Sequence, residues 1–153
     1  MKRLHLAAAV AVLGACIIGS SALVAGAAGT GRPATVKLKA VVDSFHQVDN
    51  APEGDSQGDV LVFTQKLTDA AGKQIGTSDA YCVRTAPGKN RECQGTFFLP
   101  KGQVFVSGPD PDGVKRHALA IVGGTRAYAD ARGHVTLDHK SAVEDADTFS
   151  FTR

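Results

Sequence analysis

Two short runs of this sequence, "SDAYC" at residues 78–82 and "CQGT" at residues 93–96, carry the side chains best suited to chemistry. They combine a carboxylate, a phenol, an amide and a hydroxyl, which together can protonate or orient a small oxygenated molecule. We predict catalytic roles for Asp79 and Tyr81 and ligand-binding roles for Gln94 and Thr96. The alternative is that all four are ordinary polar residues on a solvated strand face.

Two cysteines decide whether those four side chains meet. Cys82 and Cys93 flank a segment with Pro87-Gly88 at its middle, which is a strong turn signal. If they pair directly across an antiparallel hairpin, the four polar side chains share one face, with Tyr81 opposite Gln94. In an oxidising compartment such a pair favours a disulfide, and two buried free thiols are the alternative. No CxxC or HxxxH spacing supports a metal site at the pair.

The histidines give little support for a metal centre. His134 and His139 lie on opposite sides of one alternating run, so a metal site would need His117 or His46 to join from another strand. Imidazoles on polar strand faces are usually solvated, and the "DPDG" run reads as a turn because it lacks the other acidic positions of a calcium loop. We therefore predict neither a metal nor an organic cofactor.

A glycine-rich segment, "AIVGGTRAYADARGHVTL" at residues 120–137, predicts a structural corner. It lacks the glycine spacing of a dinucleotide site and the Gly-Lys of a P-loop. Gly123 and Gly124 offer positive φ without steric cost, and Thr125 can cap a turn. Gly133 permits a bulge where the next strand begins.

The elements that must position these residues are all strands. After the first 35 residues the chain shows eight short runs of alternating or apolar character separated by Gly, Pro and Asp turns, and no convincing amphipathic helix. A long loop is expected over residues 49–58. The spacing predicts an all-β domain, either an antiparallel sandwich or a closed barrel.

The N-terminus predicts export. Residues 1–27 have a basic start, an apolar run and the small residues Ala25-Gly26-Ala27 of a cleavage site, which indicate a signal peptide. The alternatives are an uncleaved membrane anchor and a lipoprotein modified at Cys16. A flexible leader over 28–35 and a single domain over 36–153 would follow. The predicted location is secreted or extracellular.

Charge excludes one class of partner. The chain has 17 Lys and Arg against 15 Asp and Glu, but Lys2 and Arg3 belong to the leader, which contains no acid. The exported part therefore balances 15 against 15, and it lacks the basic field that nucleic-acid binding requires.

The run "RHALAIVGGTRAYADARGHVTL" resembles the "R-E-x-x-V-x-G-G-T-G-x-F-x-x-A-R-G-x" signature of plant dirigent proteins and allene oxide cyclases. The resemblance covers nearly the whole exported part and suits a bacterial, exported branch. It implies an eight-stranded antiparallel barrel with a small-molecule cavity, often assembled as a trimer. Arg126 stands where the pattern commonly has Gly, which implies a stiffer corner. The matching positions are structural: Gly123, Gly124, Thr125, Arg132 and Gly133.

We expect one of three functions. The first is a barrel that binds a small apolar or oxygenated ligand and steers its cyclisation or coupling, as an isomerase-type enzyme without cofactor. The second is a non-catalytic, lipocalin-like carrier, and the third is a structural module with a filled lumen. For the first, the face carrying Asp79 and Tyr81 is expected to point into the cavity.

Overall fold

The computed structural model describes residues 35–152, which form one closed antiparallel β-barrel. The predicted signal peptide, its predicted cleavage site, Cys16 and most of the expected leader lie outside the described residues. The strands are β1 Thr35–Val48, β2 Val60–Thr68, β3 Gln74–Ala86, β4 Asn90–Leu99, β5 Gly102–Pro111, β6 Arg116–Gly124, β7 Arg132–His139 and β8 Glu144–Thr152, with a 3-10 turn at Arg126–Tyr128. The predicted eight-stranded barrel is confirmed.

Closure follows from the order of pairing. Each strand pairs with the next one along the chain, and β8 returns to pair with β1. Because side chains alternate along a strand, each contributes every second residue to the barrel interior. In β1 the interior residues include Leu38 and Ala40, both buried, while Lys37 and Lys39 are exposed.

Packed side chains fill one end of the barrel, where β1, β3, β5 and β7 begin. A T-shaped pair of Phe97 and Phe149, with ring centroids 4.9 Å apart, lies at the centre of this core. Tyr128 from the 3-10 turn stacks on Phe151 and covers that end. The remaining buried members of the cluster are Leu38, Ala40, Leu67, Val104, Val106, Leu119, Ile121 and Val135. The other end is therefore where space for a site can exist.

The hairpin of β3 and β4 carries the expected disulfide. Cys82 lies directly opposite Cys93, with Cα atoms 4.0 Å apart and the sulfurs bonded. Both residues are buried, so the disulfide belongs to the inner face of the hairpin. The Pro87-Gly88 segment forms the turn, with Gly88 at φ +65°.

The loop from Asp49 to Asp59 is long, as expected, and Asp59 organises it. The Asp59 carboxylate accepts hydrogen bonds from the backbone N–H of Asn50, at 2.9 Å, and of Ser56, at 2.8 Å. These bonds lower the pKa of Asp59, which burial alone would raise. The loop is thereby held close to the end of β3, where the Arg84 N–H donates to the Asp59 carbonyl.

The connection between β6 and β7 differs in detail from the expectation. Neither Gly123 nor Gly124 has positive φ, which instead occurs at Arg126, at +54°, and at Gly133, at +127°. Gly124 is needed for another reason: an added Cβ would lie 2.4 Å from the carbonyl oxygens of Gln103 and Tyr128. Thr125 makes no side-chain cap, because its hydroxyl accepts from the Gln103 N–H at 3.0 Å. Arg132 opens β7 as an exposed residue.

Within residues 35–152, no helix has the length and apolar character needed to cross a membrane.

Candidate functional site

A small cavity lies inside the barrel, between the packed core and the end where β5 and β7 finish. Its volume is about 60 Å³, which suits a few water molecules and is far below the roughly 300–1,000 Å³ typical of ligand pockets. The apolar wall comes from Phe63, Ala80, Phe97, Val106, Leu119 and Leu137, together with the disulfide. The polar wall comes from Gln65, Ser78, Asp110, His117, His139 and Asp145.

His139, the last residue of β7, lies between two carboxylates. Its Nδ1 is 2.6 Å from Oδ1 of Asp145, the residue paired with it on β8. Its Nε2 lies 3.8 Å from Oδ1 of Asp110. Asp110 and Asp145 together raise the pKa of His139 to about 10, against the opposing effect of burial, so the imidazole is a cation at neutral pH.

His117, near the start of β6, is buried without a partner. Its side chain is 7% exposed, and neither ring nitrogen makes a hydrogen bond within the described residues. Its Nε2 lies 3.7 Å from Oδ1 of Asp110, which is too far for a hydrogen bond. Burial lowers the pKa of His117, although Asp110 counteracts this. The ring is therefore neutral and has a free donor and a free acceptor.

Asp110, near the end of β5, is the carboxylate shared by both rings. Its other oxygen, Oδ2, faces Nη1 of Arg91 at 3.7 Å. Burial opposes its ionisation, but the nearby His139 cation and the Arg91 guanidinium outweigh burial and lower its pKa. Asp110 is thus an anion facing the cavity.

A chain of hydrogen bonds fixes the opposite side of the cluster. The Ser78 hydroxyl donates to Oε1 of Gln65 at 2.8 Å, and Nε2 of Gln65 donates to Oδ2 of Asp145 at 3.2 Å. Asp145 then accepts from His139. The buried amide is held in one orientation, and through Asp145 it holds the imidazole as well.

Asp147 is the most deeply buried ionisable group among the described residues. It is 1% exposed, and neither carboxyl oxygen has a hydrogen-bond partner there. Burial, with a smaller contribution from the Asp145 charge, raises the pKa of Asp147 to about 7. The residue points inward on β8, two residues from Asp145. The barrel interior therefore contains a carboxyl group that is partly protonated at neutral pH.

The rim at this end of the barrel is charged. Arg84 donates from Nη1 to both oxygens of Asp112, at 2.8 and 2.7 Å, and its Nε lies 2.6 Å from Asp55 of the long loop. Arg91 reaches Asp112 as well, at 3.2 Å. These contacts tie the long loop and the β5–β6 loop to the hairpin, so access to the cavity passes a cross-linked rim.

The structure places the four predicted site residues on the outer face. Asp79, Tyr81 and Gln94 are exposed and Thr96 is half-buried; together they line a broad outer groove. The predicted pairing of Tyr81 with Gln94 and of Asp79 with Thr96 is present. The expectation that this face points into the cavity is wrong, because Cys82, Cys93 and Phe97 on the opposite face are buried while this face is mostly exposed. Asp79 and Gln94 border the cavity as well as the outer groove. Whether the four bind a ligand from outside stays a prediction.

Sequence reasoning missed the ionisable residues that do line the cavity, which are Asp110, His117, His139 and Asp145. It also missed the buried Asp147. The sequence did contain a signal, because each of these ionisable residues lies two positions from another residue that faces the barrel interior. His117 precedes Leu119 and Ile121, and Asp145 and Asp147 precede Phe149 at the same spacing. An ionisable residue in register with an apolar strand face indicates a buried polar site.

No family model and no curated protein matches the chain. Among solved structures, a pyocyanin demethylase is 26% identical, with 78% of this chain and all of that one aligned at a TM-score of 0.72. AbnU, an exo-specific intermolecular Diels-Alderase, is 13% identical, with 79% and 98% aligned at 0.65. The pterocarpan synthase dirigent protein GePTS1 is 15% identical, with 78% and 87% aligned at 0.61. The chain shares its closed barrel fold with these demethylase, Diels-Alderase and dirigent structures.

Proposed function

We propose that this protein binds a small, mainly apolar molecule in the barrel and steers its cyclisation or coupling. The observation that carries the proposal is the composition of the cavity, where an apolar wall meets a cluster of charged and hydrogen-bonding groups. The apolar wall would hold a flexible ligand in one folded conformation, which removes much of the entropic barrier to ring closure. The cluster would hold an oxygen of the ligand and stabilise charge that develops on it.

The comparisons support this class of activity. Similar barrels are a Diels-Alderase, which joins two molecules in a cycloaddition, and a dirigent protein that is a pterocarpan synthase. For the present chain the same use of a barrel is a proposal, because fold alone does not determine chemistry.

The small cavity volume favours a second candidate, a structural module that takes no ligand. A ligand of drug size does not fit into about 60 Å³ unless side chains or the rim move. The two candidates differ in whether the purified protein retains a small molecule.

Retention from a metabolite extract tests the proposal, with Ala80→Leu as a variant that fills the cavity. Ala118→Leu makes the same change at an exposed position of β6 and is the matched control. We expect the wild type and Ala118→Leu to retain the same small molecule, detected by mass spectrometry, and Ala80→Leu to lose it. The retained molecule, isolated and returned to the protein, should be converted to a cyclised isomer of unchanged mass or to a coupled adduct.

Two results would contradict the proposal. A wild-type protein that retains nothing would support the structural module. Equal retention by Ala80→Leu and Ala118→Leu would place the ligand outside the cavity, and the outer groove with Asp79 and Tyr81 would then become the candidate site. Retention without conversion would identify a carrier.

We also propose that the protein acts outside the cytoplasm, since its buried disulfide suits an oxidising compartment. Intact-mass analysis of secreted material should find a chain that starts near Ala28 and contains no free thiol. A chain that starts at a diacylated Cys16 would show a lipoprotein instead.

A further inference from the structure

Three adjacent strands bring two imidazoles and one carboxylate together at the cavity. Asp110 comes from the end of β5, His117 from the start of β6 and His139 from the end of β7. His117 and His139 are diagonal neighbours on the inner face, because His117 pairs with Leu137 two residues before His139. One ligand-type atom from each of the three residues lies within 4.8 Å of the others.

The distances between these atoms approach those of a metal centre. Oδ1 of Asp110 lies 3.7 Å from Nε2 of His117 and 3.8 Å from Nε2 of His139. Ligands held about 2.0–2.2 Å from one ion are roughly 3–3.5 Å apart, so each distance from Asp110 needs to contract by only a few tenths of an ångström. The ligand nitrogens of the two imidazoles, which lie within 4.8 Å of each other, must also approach. Such a contraction lies within the freedom of side-chain torsions and leaves the strand pairing intact.

The surroundings of His139 match those of a metal-bound histidine. Metal-ligating imidazoles almost always direct their second nitrogen to a carboxylate or carbonyl, which fixes the orientation of the ring. Here Nδ1 of His139 is engaged by Asp145, which accepts a hydrogen bond from Gln65. Gln65 is in turn held by the Ser78 hydroxyl. Nε2 is therefore the nitrogen that faces Asp110 and His117.

His117 provides an independent observation. A side chain that is 93% buried with two unpaired ring nitrogens carries a desolvation cost that nothing in the described residues offsets. An ion bound at Nε2 would supply the missing partner. A plain ion pair between His139 and its carboxylates explains His139 and Asp145, but it leaves His117 without a role.

We propose that Asp110, His117 and His139 bind one divalent first-row transition-metal ion, with Zn²⁺ as the reference ion. Two imidazole nitrogens and one carboxylate oxygen suit such ions, and three protein ligands leave a coordination position open towards the cavity for water or a ligand oxygen. The ion takes the place of the proton on Nε2 of His139, and the negative charges of Asp110 and Asp145 favour it. Ion binding is a property of the protein alone, so the proposal does not depend on the proposed cyclisation.

Calorimetric titration of chelator-treated protein with Zn²⁺ tests the site, using the full chain without a histidine tag. We expect one ion per chain in the wild type. His117→Leu should weaken binding by at least about tenfold, and Asp145→Asn by roughly 10–100-fold through loss of ring orientation. His134→Leu removes an exposed histidine from β7 by the same substitution and should bind as the wild type does. Co²⁺ should give visible absorption bands in the wild type that His117→Leu lacks.

The proposal is overturned if the wild type takes up no Zn²⁺, or if His134→Leu weakens binding as much as His117→Leu. It is also overturned if His117→Leu binds with unchanged affinity. Should His117→Leu fail to fold, Asp145→Asn decides the matter, because it keeps the side-chain size nearly constant. Unchanged affinity in Asp145→Asn then counts against the site.

Discussion

At the residue scale, the barrel interior keeps ionisable groups whose burial costs stability. Asp147 is the clearest case, because its carboxyl group has no hydrogen-bond partner within residues 35–152 and the residue pairs with the apolar Leu38 and Leu137 on the neighbouring strands. Natural cores rarely keep such a group without a use, and strained or costly groups concentrate at functional sites. Asp147 lies next to the polar wall of the cavity, which fits a role in its chemistry.

The pH dependence of stability should reveal this cost. The pKa of Asp147 is about 7 in the folded protein against an ordinary value of 3.8, so the folded state holds the proton more tightly. The contribution of Asp147 to stability therefore falls as pH rises from about 4 to about 7 and is level above that. Asp147→Asn removes the effect and should be the more stable protein at pH 8, by at most roughly 4 kcal/mol, with little difference at pH 4.

Urea denaturation of both proteins across this pH range, with chelator present, measures the difference. Asp138→Asn is the control, because Lys140 lowers the pKa of Asp138 and its neutralisation should not stabilise the protein at pH 8. Parallel pH profiles for the wild type and Asp147→Asn would show that Asp147 is solvated or paired.

Which individual residues face the cavity could not be predicted from the β3–β4 hairpin alone. Both of its faces mix polar and small side chains, and the inner face includes Ala80 and Gly95, which carry no strong apolar signal. The burial of Phe97 and of the disulfide decides which face of the hairpin points into the barrel, and this burial is visible only in the folded core. Asp110, His117 and His139 come together because of the strand register, which could not be predicted from the sequence.

At the element scale, alternation and turn residues predicted the strands and the disulfide hairpin well. The sequence prediction failed where glycine is required by close packing and not by a positive φ. The corner after β6 is the example, since Gly124 is tightly enclosed by backbone, whereas an added Cβ at Gly123 would meet only a Phe105 side chain, at 3.8 Å. Such enclosure depends on β5 and the 3-10 turn, which lie elsewhere in the sequence.

The two glycines should therefore respond differently to the same substitution. Gly124→Ala forces backbone apart and should cost roughly 1–3 kcal/mol of unfolding free energy. Gly123→Ala should be neutral or stabilising by up to about 1 kcal/mol, because alanine restricts the unfolded chain. Thermal unfolding monitored by circular dichroism distinguishes them. Equal loss of stability in both variants would mean that the corner is not packed as described.

Arg126 is a position where the chain departs from the dirigent-type signature, and its backbone conformation explains the glycine found there. A non-glycine residue at φ +54° costs about 1–2 kcal/mol. Glycine avoids this strain, but it loses more conformational entropy on folding, which offsets part of the gain. The glycine common at this position in the signature is thus explained by backbone conformation. The left-handed conformation itself could not be predicted from the arginine.

At the scale of the whole molecule, the barrel is asymmetric in what it shows to solvent. The inner face separates into a packed apolar end and a polar end, while the outer face of β2, β3 and β6 exposes apolar and aromatic side chains. Val62, Tyr81 and Val122 are 43%, 44% and 54% exposed, and all three line the same outer groove. Single exposed apolar residues are normal, but a contiguous set is typical of an interaction surface.

We propose that this outer groove is covered by further copies of the chain, as the resemblance to trimeric barrels implied. The three side chains that are exposed in the single chain would then be buried in the assembly. Tyr81 would have a structural role. Val122→Lys places a charge in the wall of the groove and should convert the assembly into monomers at micromolar concentration, because an unpaired buried charge opposes association.

Light scattering coupled to size-exclusion chromatography measures the molar mass of each variant. Val143→Lys is the matched control, since Val143 is equally exposed at 54% but lies in the β7–β8 loop, outside the groove. We expect the wild type and Val143→Lys to share one mass, about three times that of the chain, and Val122→Lys to fall to the mass of one chain. A monomeric wild type would leave the groove free for another partner or for a ligand held by Asp79 and Tyr81. Dissociation by both substitutions would show that the contact lies at the barrel rim, because charge at the loop would then matter as much as charge in the groove.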